Sequence, residues 1–246
     1  IERAQKLVSA GADALTIDVA HGHMKKTIDA TRDLKQKFGT KVDIISGVVA
    51  TYQGAKDLFK AGADSVRVGV GPGTICITRI QTGVGVPQIT AVMEASRAAR
   101  EFKKTVLCDG GTKNTGDIVK GLASGASGVI IGSQFAGTDE APGKLVVKAG
   151  MKFKNYNAST SLTEKEKHVR KLNGLGKDYT KHIEGIESIV PYKGPVSEII
   201  TVMEANVRSG LSYCGAATIS ELWRKAQFIR VSPMGSKENG AHDVTI

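Results

Sequence analysis

The sequence predicts an α/β fold, the C-terminal part of a (β/α)8 TIM barrel that is N-terminally incomplete in this chain, and two observations carry that expectation. First, three stretches repeat one pattern: Leu7-Val-Ser-Ala-Gly-Ala-Asp-Ala-Leu-Thr-Ile-Asp18, Leu58-Phe-Lys-Ala-Gly-Ala-Asp-Ser-Val-Arg-Val-Gly69 and Leu122-Ala-Ser-Gly-Ala-Ser-Gly-Val-Ile-Ile-Gly132. Each reads as the end of an amphipathic helix, a glycine suited to a left-handed cap, and a short apolar strand. Second, the strands run into chemically loaded turns: Asp18-Val-Ala-His-Gly22, Gly47, Gly69-Val-Gly71, Asp109-Gly-Gly111 and Gly132-Ser133. Parallel α/β folds gather their sites at the C-terminal strand ends, and barrels do so almost without exception. A complete doubly wound open sheet is the alternative.

The elements follow in order. A helix over Ile1–Ala10 leads to the strand ending at Asp18, and helical periodicity over Lys25–Phe38 leads to a strand at Val42–Val48. Helix Tyr52–Ala61, the strand ending at Gly69, helix Ile89–Phe102, strand Thr105–Asp109, helix Thr115–Ala123 and the strand ending at Gly132 continue the alternation that marks βαβ units. These are about five βα units against the eight of a closed barrel, so three are expected to precede them. An open sheet edge and poor solubility of the isolated segment are expected with that. Residues 1–143 are assigned to the barrel. Residues 144–194 are basic, poorly periodic and longer than an ordinary connection, which predicts a mobile flap. Residues 195–246 are expected to complete the same catalytic domain. They carry helices at Val196–Ser209 and Thr218–Ala226 about a turn at Gly210–Gly215, then a strand at Gln227–Val231 and a tail.

Composition narrows the class. Of 246 residues, 41% are hydrophobic and 24% charged, a globular balance, and the 29 glycines point to many tight turns. The three cysteines, Cys76, Cys108 and Cys214, form no C-x-x-C pair, which argues against a disulfide framework or a structural zinc site. With no apolar run of membrane-spanning length and no signal peptide, a cytoplasmic protein is expected. The net charge of +10 suits an anionic partner. It is densest over Lys148–Lys181, which has few aromatics to stack bases, so a solvated segment is the plainer reading there than a nucleic-acid surface.

The strongest motif is Gly69-Val-Gly-Pro-Gly-Thr-Ile-Cys-Ile-Thr-Arg79. Alternating glycines after a strand let the backbone curl and turn N–H groups toward an anion, though they also fit an ordinary turn. Cys76 on that loop is either a nucleophile or a small buried side chain. Asp109 suits paired hydroxyls such as those of a ribose, or else caps a turn. Gly132-Ser133 offers a further phosphate contact on the last strand.

Together, Gly69–Gln88, Asp109–Gly111, Gly132–Gly143, Val190–Gly194 and Arg208–Gly215 resemble the IMP dehydrogenase / GMP reductase family, and the resemblance runs over essentially the whole chain. It implies a homotetrameric (β/α)8 barrel with a purine 5′-nucleotide (IMP, XMP or GMP) across its mouth and Cys76 attacking purine C2. A dehydrogenase passes hydride from C2 to NAD, and water hydrolyses the remaining thioimidate to XMP. A reductase releases ammonia from GMP and takes hydride from NADPH. The resemblance makes Thr78 the hydroxyl that helps activate water or ammonia. It places Asp109 at the ribose, Thr74, Gly111, Gly132, Ser133 and Tyr156 at the phosphate, Glu184 at the purine N1 edge, and Gly110 among the substrate-binding residues. Asp18, Gly69 and Gly71 fall on the cofactor side. The carbonyls of Gly71, Gly73 and Cys76 would hold K+, completed by Glu238, Asn239 and Gly240 of a neighbouring subunit.

There are departures. Tyr156-Asn-Ala-Ser-Thr-Ser161 stands where dehydrogenases carry Tyr-Arg-Gly-Met-Gly-Ser, and their flap Arg-Tyr pair has no clean counterpart. Arg170-Lys171 and Lys177-Asp-Tyr179 are the nearest candidates, and Arg170 is taken as the expected general base. Thr82-Gly-Val-Gly85 leans toward reductases, whereas Val86-Pro-Gln88, the Asp139–Gly143 run and Ala241-His-Asp-Val244 lean toward dehydrogenases. NAD-dependent oxidation of IMP is the expectation. GMP reductase and a catalytically dead nucleotide-binding paralogue are the alternatives.

Overall fold

A computed structural model of the chain describes residues 1–171, 180–237 and 240. Five βα units open it: α1 (Glu2–Ser9), β1 (Ala14–Asp18), α2 (Lys25–Phe38), β2 (Asp43–Val49), α3 (Tyr52–Lys60), β3 (Ser65–Val68), α4 (Thr78–Thr82), α5 (Gln88–Phe102), β4 (Thr105–Asp109), α6 (Thr115–Ala123) and β5 (Gly128–Ile130). The three glycines of the repeated pattern do the same job. Gly11, Gly62 and Gly125 take φ of 96°, 104° and 109° just after α1, α3 and α6, which sends each helix back toward a strand. Thr51 and Asn114 cap the other ends of α3 and α6 by accepting from Gly54 N–H and Asp117 N–H at 3.1 and 3.0 Å.

All five strands are parallel, in the order β1-β2-β3-β4-β5. A doubly wound sheet reverses its strand order at a switch point. Here the order never reverses, so the strands wind one way, as in a barrel. The core lies between β2, β3 and β4 and the helices α3 and α5. Leu58, Val66, Val68, Val92 and Val106 are fully buried there, and small residues on α5 (Ala91, Ala95, Ala98, Ala99) let it settle close to the strands. Phe59 and Phe102 stack at 5.7 Å between ring centroids.

Beyond Gly143 the structure departs from the sequence reading. Instead of an irregular segment it has a three-stranded antiparallel sheet, β6 (Leu145–Lys148), β7 (Met151–Asn157) and β8 (Glu187–Pro191), with α7 (Leu162–Lys171) between the last two strands. The alternation is masked in the sequence because one inward position of β7 is a lysine. Lys154 is 6% exposed, and its Nζ donates to the carbonyls of Thr138, Asp139 and Ala141 at 2.8, 3.2 and 2.5 Å. Lys154→Met keeps the stem but strands three carbonyls, so a stability loss of about 3 kcal/mol is expected in chemical denaturation.

Two further corrections concern the C-terminal part. Helix α8 (Val196–Tyr213) runs straight through Gly210, where a turn was expected, before α9 (Ile219–Lys225) and α10 (Pro233–Lys237). The glycine is there for packing, since a Cβ on Gly210 would lie 2.7 Å from Val119 on α6. Residues Gln227–Val231 form no strand. They find no neighbour to pair with among the described residues, and Phe228, Ile229 and Val231 stay exposed. No helix among the described residues is long and apolar enough to cross a membrane.

Candidate active site

Parallel strands put Asp18, Gly69 and Asp109 at one end of the sheet, where they wall a cavity of about 970 Å³ together with Cys76, Tyr156 and Glu184. The loop from β3 to α4 enters it on glycine geometry. Gly69 has φ +148°, and a Cβ there would sit 2.3 Å from the Asp109 carbonyl oxygen. Arg79 then staples the loop, donating from Nε to Val70 O (3.0 Å) and from Nη2 to Val86 O (2.6 Å). Cys76 N–H closes a turn onto Gly73 O at 3.1 Å.

Backbone pairing brings the two halves of the site together. Ile77 N–H donates to Glu184 O at 2.8 Å and Ile186 N–H to Ile75 O at 3.0 Å. This places Glu184 beside the cysteine loop although 106 residues separate it from Thr78. Thr78 Oγ1 lies 3.1 Å from Cys76 Sγ and donates to Glu184 Oε2 at 2.8 Å. Glu184 Oε1 in turn faces His182 Nε2 at 2.5 Å. Burial raises the Glu184 carboxyl, but the hydrogen bonds from Thr78 and His182 prevail and hold it below the ordinary carboxylate range. The result is an ionised carboxylate joined through one hydroxyl to a thiol.

In the same cavity wall, Arg67 forks between two carboxylates. Its Nε and Nη2 reach Asp109 Oδ2 at 2.8 and 2.6 Å, and its Nη1 reaches Asp18 Oδ1 at 2.8 Å. The Asp109 side chain is 16% exposed, whereas that of Asp18 is 70% exposed at the rim. Burial pushes the Asp109 carboxyl up, against the opposing pull of Arg67. Tyr156 bridges to an adjoining cavity, and a Cβ on Gly132 would come within 3.2 Å of its Oη. Burial raises the Tyr156 phenol and keeps it a hydrogen-bond donor.

The IMP dehydrogenase / GMP reductase domain model matches residues 1–242. The chain belongs to this family. It is 46% identical over its whole length to the inosine-5′-monophosphate dehydrogenase of Nitrosopumilus maritimus, covering 52% of that protein. To the GMP reductase of Leishmania donovani it is 44% identical, over 99% of this chain and 50% of the relative. A solved structure of a GMP reductase cysteine-to-alanine variant from Trypanosoma brucei, in complex with guanosine 5′-monophosphate, superposes with a TM-score of 0.93 at 40% identity. That match covers 99% of this chain and 50% of the other. The chain thus spans about half the length of the relatives it matches, which fits an incomplete barrel, and the enzymes of this family are oxidoreductases.

Against the family expectation, the structure gathers Cys76, Thr78, Glu184, Asp109, Gly110, Asp18, Gly69, Gly71, Gly73 and Tyr156 about one cavity. Gly132 lines the adjoining one, while Thr74, Gly111 and Ser133 fall outside both walls. Arg170 is not brought to the thiol. Its side chain is 80% exposed on α7 and its carboxylate neighbour is Glu166 at 3.7 Å, because the helix turns His168 and Lys171 toward the cavity instead. Glu238, Asn239 and the Lys177-Asp-Tyr179 candidate lie outside the described residues. Gly240 is exposed. Cys108 is buried, with its thiol pushed up by that burial, and Gln88 Nε2 lies 3.4 Å from its Sγ. Sequence reasoning missed Arg67, whose signal was a lone charge inside a four-residue strand, and His182, which carried no motif at all.

Proposed function

We propose that the chain forms the catalytic core of an NAD-dependent IMP dehydrogenase that oxidises C2 of the purine through a covalent bond to Cys76. The carrying observation is the Cys76–Thr78–Glu184 chain of contacts, set in one cavity with Asp109. Asp109, fixed by Arg67, accepts from the ribose hydroxyls, and Tyr156 donates toward the phosphate. Cys76 Sγ adds to C2 across the C2=N3 bond, its proton passing to N3, and loss of hydride from C2 and of that proton leaves a thioimidate. A nicotinamide dinucleotide supplies the hydride acceptor when bound, and the open-rim carboxylate of Asp18 fits its ribose hydroxyls. Water then attacks C2. Its proton passes to Thr78 Oγ1 while the Thr78 proton passes to Glu184 Oε2, and the C2–S bond breaks to return a Cys76 thiolate and XMP. The held-down Glu184 carboxyl makes it ready to accept, so the base lost with the outward Arg170 is supplied here.

The backbone carbonyls of Gly71, Gly73 and Cys76 are hard oxygen donors of the kind K+ takes, and that of Gly73 also accepts from Cys76 N–H at 3.1 Å. A neighbouring subunit's Glu238, Asn239 and Gly240 would complete such a site in a cytoplasmic homotetramer. The second reading is GMP reductase with NADPH. It is favoured by the outward Arg170, since a reductase hydrolyses no adduct. Cys76, Thr78 and Glu184, present together, speak against a dead paralogue.

The deciding assay follows nicotinamide absorbance of the full-length protein in potassium buffer. A rise with IMP and NAD is expected. A fall only with GMP and NADPH establishes the reductase. Silence in both, with nucleotide still bound, overturns the enzyme reading. Glu184→Gln is expected to slow turnover about 100-fold while sparing the first-turnover burst of NADH, because only the hydrolytic half needs the base.

A further inference from the structure

We propose that His182 is a positioning residue for the Cys76 chemistry, holding the Glu184 carboxylate in the orientation from which it exchanges a proton with Thr78. The proposal rests on the reading of Cys76, Thr78 and Glu184 above. The two carboxylate oxygens serve different partners. Oε2 accepts from the Thr78 hydroxyl at 2.8 Å, and Oε1 faces His182 Nε2 at 2.5 Å. An ionised carboxylate only accepts, so His182 presents its N–H on Nε2. With one hydrogen bond, the terminal torsion of a glutamate is broad and nearly unrestrained. The second bond, from the far side, turns Oε2 onto Thr78 and keeps it there.

His182 is itself held from behind. Lys165 of α7, only 3% exposed, donates its Nζ to the His182 carbonyl oxygen. Two residues on, Glu184 O accepts from Ile77 N–H, so the segment is pinned at both ends. The His182 side chain is 55% exposed and does not line the cavity, so it acts through Glu184 rather than on a bound nucleotide. The proton balance agrees. Water gives a proton to Thr78 and Thr78 gives one to Oε2, while Oε1 keeps its bond from His182, which neither gains nor loses a proton.

The test uses H182A and H182Q in the full-length protein beside the wild type, with IMP and NAD. Glutamine places an amide N–H near the position of Nε2. For H182A, kcat is expected to fall about 10-fold, with KM for IMP unchanged within about twofold and the first-turnover NADH burst retained. H182Q is expected to restore most of kcat. Wild-type kcat in H182A would overturn the proposal. So would a joint loss of kcat, KM and burst that H182Q does not relieve, since that marks a merely structural role. A wild type silent with IMP and NAD and with GMP and NADPH instead defeats the underlying reading, and the proposal falls with it.

Discussion

Replacing Cys76 by alanine is expected to abolish turnover in either direction while leaving nucleotide binding within about threefold. Alanine keeps the Cβ and the backbone N–H that closes the turn onto Gly73 O at 3.1 Å, so the turn retains its shape. The backbone bonds that join the loop to Glu184 do not involve the thiol. No other cysteine can substitute. Cys108 is buried, with its thiol raised by that burial, and Cys214 ends α8 away from the cavity wall. The loss should therefore be on the order of 10⁴-fold or more, as for removal of a nucleophile from a cooperating set. Binding is read by calorimetry with IMP, and the adduct by the mass of the peptide containing Cys76 after quenching the wild type. An adduct on the wild type and none on C76A, with equal affinity, fits the covalent route. A variant that still turns over removes it.

How much of this could be read beforehand divides along physical lines. The βα alternation was legible because each unit repeats a local code: a helix stripe, a left-handed glycine and an apolar strand. Gly11, Gly62 and Gly125 sit where that code puts them. Cys76, Asp109 and Glu184 were legible through family resemblance, which is a statement about motifs and not about contacts. What stayed hidden was tertiary. Lys154 reads as a surface charge until three carbonyls converge on it. Gly210 reads as a turn until α8 is seen to cross Val119. Residues 227–231 read as a strand because alternation reports only a side-chain pattern, whereas pairing needs a neighbour. Arg170 answers to the family's flap Arg-Tyr pair in residue type and in its place along the flap, but helix phase turns it outward.

Arg67→Met is the second change with a large expected effect, because one guanidinium restrains two carboxylates. Its side chain is 13% exposed and that of Asp109 is 16% exposed, so the loss is not absorbed by water. Breaking such a buried pair from one side is expected to cost about 3 kcal/mol. The Asp18 arm adds little, since that carboxylate is mostly solvated. The pH dependence has a definite sign. Burial already raises the Asp109 carboxyl in the wild type, and Arg67 opposes the rise while Asp18 adds to it. Without Arg67 the folded-state value moves higher still. A group whose folded value is raised is stabilising below its unfolded value and loses that stability as pH climbs through the folded one. The destabilisation of R67M relative to wild type should therefore be larger at neutral pH and shrink as the pH falls and Asp109 takes a proton instead of a partner. Thermal midpoints of both proteins across that range check the trend. On the ribose contact proposed for Asp109, KM for the nucleotide should rise in parallel at neutral pH, because a neutral or displaced carboxylate accepts hydroxyls poorly. A stability difference that is flat with pH would show that Arg67 contributes by packing alone, and that the carboxylate at the end of β4 does not depend on it for its charge.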